Sequence, residues 1–292
     1  MENSIKLDFE INSASYIGKP VNNTVMYITK KVEHLLVNLY NAKQCLVFCE
    51  ENIEVSEDLS KIHVIIKTSN PQLEYSRYVN ELAYNKQEMN KRRKYTLTDG
   101  GYYIGENVKI GQNSIIEPLC LIDHDVIIGN NAKIFTGAKI RNAIIGDNFI
   151  ANENAVIGTY GFTMANDENG NKVRIPTLGK VIIGNNVEIG TLANISVGSG
   201  GNTVINDNVK IDTLVHIAHD VSLSNNVEIT AGAIIGGFDT IEQDVFIGIN
   251  STLRNRVTIG ENSTIGMGSV ITKSITSNST VVGNPAKLFK KD

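Results

Sequence analysis

Tryptophan is absent from this 292-residue sequence, and aromatic residues are few, with 10 Tyr and 8 Phe. Bulky rings can therefore fill little of a core, which must depend mainly on β-branched aliphatic side chains. The composition excludes a disordered chain, because 41% of the residues are hydrophobic and 20% are charged. The length allows one large domain or two modest ones.

Basic residues are not in excess, since 27 Lys and Arg stand against 31 Asp and Glu for a formal charge of −4. A surface that binds nucleic acid normally carries a Lys/Arg excess, so we expect no nucleic-acid partner. No run approaches the ~20 apolar residues that span a bilayer, so we expect no membrane insertion. The first residues are acidic where a signal peptide is basic, which predicts a cytoplasmic location.

Cysteine is also scarce, with Cys45, Cys49 and Cys120 as the only three. The Cys45/Cys49 spacing lacks the second pair or nearby histidine that a zinc site requires. We therefore expect buried, reduced thiols and no metal.

A six-residue period is the dominant feature of the chain. An aliphatic residue recurs at every sixth position in three runs: Ile104, Ile110, Ile116, Ile122, Ile128, Ile134 and Ile140; Ile183, Ile189 and Ile195; and Ile205, Ile211, Ile217, Leu223, Ile229, Ile235, Ile241, Ile247, Leu253, Ile259, Ile265 and Ile271. A period of six matches neither an α-helix nor a plain alternating strand. It predicts a short strand with one inward aliphatic, followed by a turn where Gly or Asn takes a positive φ.

Three such strands and turns form a triangular coil of 18 residues, and stacked coils form the left-handed parallel β-helix typical of hexapeptide-repeat proteins. The fold prediction is thus mainly β, with an α/β domain at 1–98, a β-helix at 99–276 and a C-terminal tail at 277–292. Excursions interrupt the β-helix at 158–181 and 196–204. The second excursion is Gly-rich and predicts either a phosphate-binding nest or a flexible bulge.

Residues before about 100 do not repeat. Helices are predicted over Ile28–Tyr40 and Pro71–Tyr84, and short buried strands over Cys45–Phe48 and Val64–Ile66. The basic run at 91–94 predicts a solvated linker.

Several motifs carry a family resemblance over nearly the whole chain. VIIKTSNPQLEYSRYVNEL, the excursion GFTMANDENGNKVRIPTLGKVIIGNNVEIG and VKIDTLVHIAHDV resemble the UDP-3-O-acylglucosamine N-acyltransferases of lipid A synthesis. The ending GSVITKSITSNSTVVGNPAK is similar to that of coenzyme A-dependent acetyltransferases that act on nucleotide-linked amino sugars. Both families acylate an amine on a nucleotide sugar.

The resemblance implies that His219, in HIAHDV, is the general base. An amine must lose a proton as it attacks a thioester, and a neutral imidazole suits that step. Gly237 follows one coil of 18 residues later, where both families place the backbone N–H that stabilises the oxyanion. A carboxylate should orient the imidazole, and both Asp220 and Asp212 are candidates for this role.

The same resemblance suggests binding residues. On the acceptor side, Tyr27 is a candidate ring for stacking on the nucleotide base, and Phe162 contacts either the substrate or the β-helix. His216 is a weaker candidate than His219 for the general base and a candidate nucleotide-sugar-binding residue. His124, in IDHDV, matches no base of either family and is expected on the coil surface. On the donor side, the candidates are Arg256, Gly283, Asn284, Pro285 and Lys287.

Arg256 stands where the lipid A enzymes carry a second histidine, and this departure favours an acyl-CoA donor over acyl carrier protein. The leading hypothesis is a homotrimeric N-acyltransferase that transfers an acyl group from coenzyme A to a dTDP- or UDP-linked amino sugar, for synthesis of a surface polysaccharide or glycan. One alternative is the lipid A N-acyltransferase with an acyl carrier protein donor. Another is a non-catalytic β-helix scaffold. A carbonic-anhydrase-like β-helix would need three histidine ligands, and His124, His216 and His219 offer no matching set.

Overall fold

A computed structural model describes residues 5–289, which form two compact units. Within these residues, the first unit runs to Lys91 and also includes Phe162–Gly179 and Ser199–Gly201, and the second unit contains the rest.

The first unit is built on a four-stranded parallel sheet. Its strands, in sheet order, are Ser13–Ala14, Thr24–Ile28, Leu46–Glu50 and Val64–Thr68. Its helices are the 3₁₀ helix Lys30–Asn41 and the α-helices Glu57–Ile62 and Pro71–Asn90. The predicted helix from Ile28 therefore begins later, because Ile28 itself pairs in the sheet.

The longer helix starts at Pro71 because its N-cap, Asn70, accepts a hydrogen bond from the Leu73 N–H at 3.2 Å. It extends beyond the predicted end at Tyr84 to Asn90.

The first excursion forms the antiparallel hairpin Met164–Asn166 with Lys172–Arg174 and belongs to the first unit. Its turn is closed by Asp167, whose Oδ1 accepts hydrogen bonds from the Asn169 and Asn171 N–H groups at 2.9 and 2.8 Å. The break in the six-residue period predicts an excursion here. The sequence carries no signal that the excursion belongs to the same unit as the N-terminal residues.

The Gly-rich segment of the second excursion is packed, so it is neither an open nest nor a loose bulge. Residues 196–200 are buried, and the Tyr75 hydroxyl donates to the Ser199 carbonyl at 3.4 Å. Gly200 is required there, since a Cβ would lie 2.9 Å from the Tyr16 Cβ.

The second unit is the left-handed parallel β-helix that the period predicts, with three sheets as its faces. Face A consists of Thr96–Leu97, Tyr103–Ile104, Leu121–Ile122, Lys139–Ile140, Val156–Thr159, Asn194–Ser196, His216–Ile217, Ile234–Ile235, Thr252–Leu253 and Val270–Ile271. Face B consists of Lys109–Ile110, Ile127–Ile128, Ala143–Ile145, Val181–Ile183, Thr203–Ile205, Ser222–Leu223, Thr240–Ile241 and Thr258–Ile259. Face C consists of Ile115–Ile116, Lys133–Ile134, Ile150–Ala151, Glu188–Ile189, Lys210–Ile211, Glu228–Ile229, Phe246–Ile247, Thr264–Ile265, Thr280–Val282 and Lys287–Leu288.

The core of the β-helix is a stack of aliphatic side chains, as the shortage of aromatics predicts. From Cys120 to Ile271, the repeats bury the periodic residue and the residue two positions before it, as with Ile217 and Val215, or Ile229 and Val227. Phe149 is an exception, a fully buried ring within this stack.

Asparagines at positive φ form the corner between faces B and C. Asn131 donates to Asn148 at 3.1 Å, and Asn148 donates to Asn186 at 3.0 Å, so each coil is bonded to the next. Asn tolerates this left-handed conformation better than most residues.

Two sequence predictions about the ends of the β-helix need correction. The coils continue past residue 276, because Thr280–Val282 pairs in parallel with Thr264–Ile265. The basic run is not simply solvated, because both terminal nitrogens of Arg93 donate to the Asp125 carboxylate. Within residues 5–289, no helix has the length and apolar character needed to cross a membrane.

Candidate active site

The corner between faces A and B places His219 and Gly237 on adjacent coils. The strands His216–Ile217 and Ile234–Ile235 pair in parallel, and each leads into this corner. Across it, the Phe238 N–H donates to the His219 carbonyl at 3.0 Å. The predicted spacing of one coil between the two residues is therefore present in the backbone register.

The imidazole of His219 packs directly on Gly237. A Cβ built on Gly237 would lie 2.8 Å from His219 Cε1 and 2.9 Å from Nε2, closer than real Cβ atoms approach. Any side chain at 237 would displace the ring, so the glycine is required by packing. The backbone of Gly237 thus lies beside the ring nitrogen that a base would use.

Asp220 holds the other side of this ring. The His219 Nδ1 lies 2.8 Å from Asp220 Oδ2, and the Asp220 side chain is 3% exposed. The Asp220 N–H in turn donates to Thr203 Oγ1 at 3.0 Å. With Nδ1–H donated to the carboxylate, Nε2 carries the lone pair, which is the tautomer a general base needs.

The alternative orienting group, Asp212, is bonded elsewhere. It lies at the corner between faces C and A, where its carboxylate accepts the Thr213 and Ala231 N–H groups at 2.6 and 3.1 Å. The structure therefore pairs His219 with Asp220, a choice that the sequence left open.

His216 lies on the same face A strand as Ile217, three residues before His219, and is half-buried. Burial lowers its pKa, and the charge of His219 acts in the same direction. His216 therefore favours the neutral form.

Phe238 and Arg256 extend the corner from His219. The Phe238 ring meets the His219 ring edge-on at 5.2 Å, and the Arg256 guanidinium lies 4.0 Å from the Phe238 centroid. Both residues have positive φ, 64° and 65°, which is unusual for side chains of this size. We did not predict Phe238 as a site residue, although an aromatic at a position that usually holds Asn or Asp was a visible signal.

His124 resembles His219 in sequence but not in environment, and the expectation of a surface position was wrong. It is 8% exposed, its Nδ1 accepts the Glu106 N–H at 2.8 Å, and its ring stacks on Tyr95 at 4.5 Å. Pairing of Leu121–Ile122 with Lys139–Ile140 places Asn142, not glycine, one coil further. His124 is thus committed to structural contacts.

The predicted nucleotide-sugar residues are divided between the two units. Tyr27 belongs to the first unit and is half-buried against Tyr75, with ring centroids 5.1 Å apart. Phe162 also belongs to the first unit, where its exposed ring lies 5.1 Å from the Arg174 guanidinium. His216 lies in the second unit together with His219, Asp220 and Gly237.

The predicted donor-binding turn lies further along the β-helix than the corner that carries His219. Gly283, at a φ of 98°, accepts the Val270 N–H at 3.0 Å, and the Asn284–Pro285 bond that follows is cis. Lys287 is exposed in the final strand. Face A register runs from His216 through Ile234 and Thr252 to Val270, and the Val270 N–H bonds to Gly283 on the following coil, so this turn lies four coils, about 19 Å, along the axis.

No group of three His, Cys, Asp or Glu side chains is arranged to hold a metal ion in the part of the chain described, residues 5–289.

Comparison with known proteins supports the fold and the family resemblance. A family model described as bacterial transferase hexapeptide (six repeats) matches residues 107–142 and 240–273. UDP-3-O-acylglucosamine N-acyltransferase of Caulobacter sp. (strain K31) is 34% identical over 154 residues, 53% of this chain and 45% of that protein. The enzyme of the same name from Coxiella burnetii (strain Dugway 5J108-111) is 35% identical over 195 residues, 58% of this chain and 53% of that protein. The chain thus spans about half the length of the curated relatives it matches.

Solved structures show the same architecture. UDP-N-acetylglucosamine acyltransferase from Campylobacter jejuni superimposes with a TM-score of 0.57 at 27% identity, over 65% of this chain and 73% of that chain. The enzyme of the same name from Francisella novicida gives 0.60 at 23% identity, over 66% and 69%, which is a likeness of fold. The chain therefore contains hexapeptide repeats that form a left-handed β-helix, and it resembles UDP-3-O-acylglucosamine N-acyltransferase.

Proposed function

We propose that this chain is an N-acyltransferase that moves an acyl group from a thioester to the amino group of a nucleotide-linked sugar. The observation that carries the proposal is the stacking of the Asp220-bound His219 imidazole on the backbone of Gly237. A base and an oxyanion donor on adjacent coils are the two groups that aminolysis of a thioester requires.

The reaction is a direct transfer. The sugar amine attacks the thioester carbonyl while His219 Nε2 accepts its proton, and the Gly237 N–H stabilises the oxyanion. Collapse of the tetrahedral intermediate breaks the C–S bond, leaves a C–N amide bond, and returns the proton from the imidazolium to the departing thiolate. Asp220 stabilises the imidazolium and fixes its orientation.

The acceptor is argued from the relatives. Two of them carry the name UDP-3-O-acylglucosamine N-acyltransferase, which favours a UDP-linked 3-O-acylated glucosamine. This supports the lipid A alternative of the sequence analysis more than the leading hypothesis of a coenzyme A-dependent enzyme. We therefore take the UDP-linked 3-O-acylglucosamine as the first acceptor to assay.

The donor is argued from face A. A thioester arm that lies along this face would pass from His219 towards Gly283, about 19 Å away along the axis. Arg256 is an exposed cation on the same side of the corner, and guanidinium groups bind phosphate well. These features keep acyl-CoA as a second candidate donor beside an acyl carrier protein.

The proposed assembly is a homotrimer, because the flat faces of such β-helices can pack around a threefold axis. Sedimentation of a monomer at assay concentration would remove this part of the proposal.

The test is amide formation measured by mass spectrometry. Purified protein receives UDP-3-O-acylglucosamine or a UDP- or dTDP-linked amino sugar, each with acetyl-CoA or with a 3-hydroxyacyl carrier protein. We expect a new amide with UDP-3-O-acylglucosamine, and its absence after His219→Ala. If none of these thioesters binds or reacts, the chain is instead the non-catalytic scaffold.

A further inference from the structure

Asp239 is a carboxyl group inside the β-helix core. It occupies the second buried position of its repeat, where other repeats carry small aliphatic or hydroxyl side chains: Val209, Val215, Val221, Val227, Ala233, Val245, Ser251, Val257, Ser263 and Ser269. Its residue exposure is 0%. A carboxyl in this stack costs folding free energy unless its oxygens are well bonded.

The bonding of this carboxyl is incomplete. Oδ1 accepts the N–H of Val257 on the next coil at 2.9 Å. Oδ2 is buried without a hydrogen-bond partner. The backbone amides of Gly236 and Arg256 also act on the carboxyl, so its contacts all belong to the corner that carries Gly237.

The backbone around Asp239 is irregular at the same place. The strand Ile234–Ile235 pairs with Thr252–Leu253 through Ile234 and Thr252 alone, whereas the flanking face A pairs register two residues each. Just after this gap, Gly237 contacts the His219 ring, and Phe238 and Arg256 both have positive φ. A destabilising core group and strained backbone coincide at one corner, which is where function is often found.

We propose that Asp239 is a positioning residue for the Gly237 oxyanion donor, and that it acts in its protonated form. From inside the β-helix it bonds the Gly236–Phe238 corner to the next coil and so fixes the orientation of the Gly237 peptide. The neutral carboxyl does this without placing a negative charge behind a peptide that must stabilise an oxyanion. This inference rests on the proposed acyl transfer.

The electrostatics agree with that protonation state. Burial raises the pKa of Asp239 to about 7, against the opposing effect of the Val257, Gly236 and Arg256 amides. The charged or titratable groups near this corner are His219 and Asp220 on the preceding coil and Arg256 on the following coil. Ionisation of Asp239 above neutral pH therefore adds a buried negative charge close to the reacting centre.

Two substitutions separate the hydrogen bond from the charge. Asp239→Asn keeps the shape, the acceptor for the Val257 N–H and a neutral state at every pH. Asp239→Val restores the aliphatic stack and removes the bond. Ser263→Val, another buried polar residue of the core, is the matched control. The kcat and KM of all three are measured against wild type across pH about 5–9.

We expect D239V to lower kcat about tenfold or more with KM nearly unchanged, because a misplaced donor acts on the transition state. We expect wild-type kcat to decline above pH 7, whereas D239N should keep kcat near pH 6 and lack that decline. S263V should match wild type in kcat. A D239V enzyme with wild-type kcat, or a D239N enzyme with the same alkaline decline, would overturn the role.

Thermal unfolding gives a readout that does not need activity. With a native pKa raised above the unfolded value of 3.8, stability falls as pH rises from about 4 to about 7, so the Tm advantage of D239N should grow over that range. A constant Tm difference would overturn protonation of Asp239. If wild type transfers no acyl group, the proposed function and this role are both rejected. If wild type transfers the acyl group and D239V has the same kcat, the positioning role is rejected and the proposed function stands.

Discussion

The imidazole of His219 packs against Gly237 of the next coil so closely that a Cβ at 237 would lie 2.8 Å from its Cε1. This contact joins the proposed base to the proposed oxyanion donor. It also makes the site sensitive to a single methyl group.

Gly237→Ala should lower kcat by on the order of 10²-fold, because the added methyl group displaces the imidazole from the amine. Steady-state kinetics measure the loss. Gly268→Ala is the control, since a Cβ there meets nothing within 4 Å and carries only the strain of a φ of 66°. Equal kcat in G237A and wild type would contradict the contact.

Asp220→Asn should lower kcat by on the order of 10²-fold and leave KM close to wild type. The amide cannot stabilise the imidazolium, and its N–H₂ favours the wrong ring tautomer. Asp212→Asn is the matched control and should keep wild-type kcat, because the Asp212 carboxylate accepts the Thr213 and Ala231 N–H groups and does not bond His219. If D212N loses turnover and D220N keeps it, the orienting group has been assigned to the wrong residue.

The Asn ladder gives a stability prediction. Asn148→Ala should lower the free energy of unfolding by about 2 kcal/mol, since it removes two hydrogen bonds and leaves alanine at a φ of 56°. Asn148→Gly removes the same bonds without the backbone strain, so it should lose less. Chemical denaturation of the two variants separates the contribution of the hydrogen bonds from that of the backbone strain. A larger loss of unfolding free energy in the glycine variant would refute this account.

His63 predicts a loss of stability in acid. Burial lowers its pKa, while its Nδ1 accepts the Cys45 N–H at 3.2 Å and its Nε2 donates to the Leu39 carbonyl at 3.1 Å. Because the folded pKa lies below the unfolded value of 6.5, the stability that neutral His63 contributes is complete above pH 6.5 and is lost as pH falls below it. The free energies of unfolding of wild type and His63→Gln, measured across this pH range, should converge at low pH. A difference that stays constant with pH would argue against this role of His63.

The β-helix could be predicted because one residue in six carries a repeated signal. Ile217 and Ile235 fix the coil, and the coil then places Gly237 beside His219 without any tertiary information. The sequence could not choose between Asp220 and Asp212, since both lie near His219 along the chain and only the corner geometry separates them.

Features without a repeated signal were missed. The strand Thr24–Ile28 pairs with residues about twenty positions away, and such non-local pairing leaves no local pattern. His124 reads like His219 in sequence, yet Tyr95 and the Glu106 N–H occupy its ring. No local signal marks Asp239 as buried, because its burial depends on the inward register of its repeat.

The most direct measurement compares two histidines that share an Ile-x-His-Asp-Val context. The rate of amide formation is measured for His219→Ala and His124→Ala with UDP-3-O-acylglucosamine and an acyl thioester. We predict that H219A loses about 10²–10⁴-fold in kcat, while H124A keeps its kcat and loses thermal stability. An H219A protein that turns over at the wild-type rate would contradict the assignment of the general base and with it the proposed mechanism.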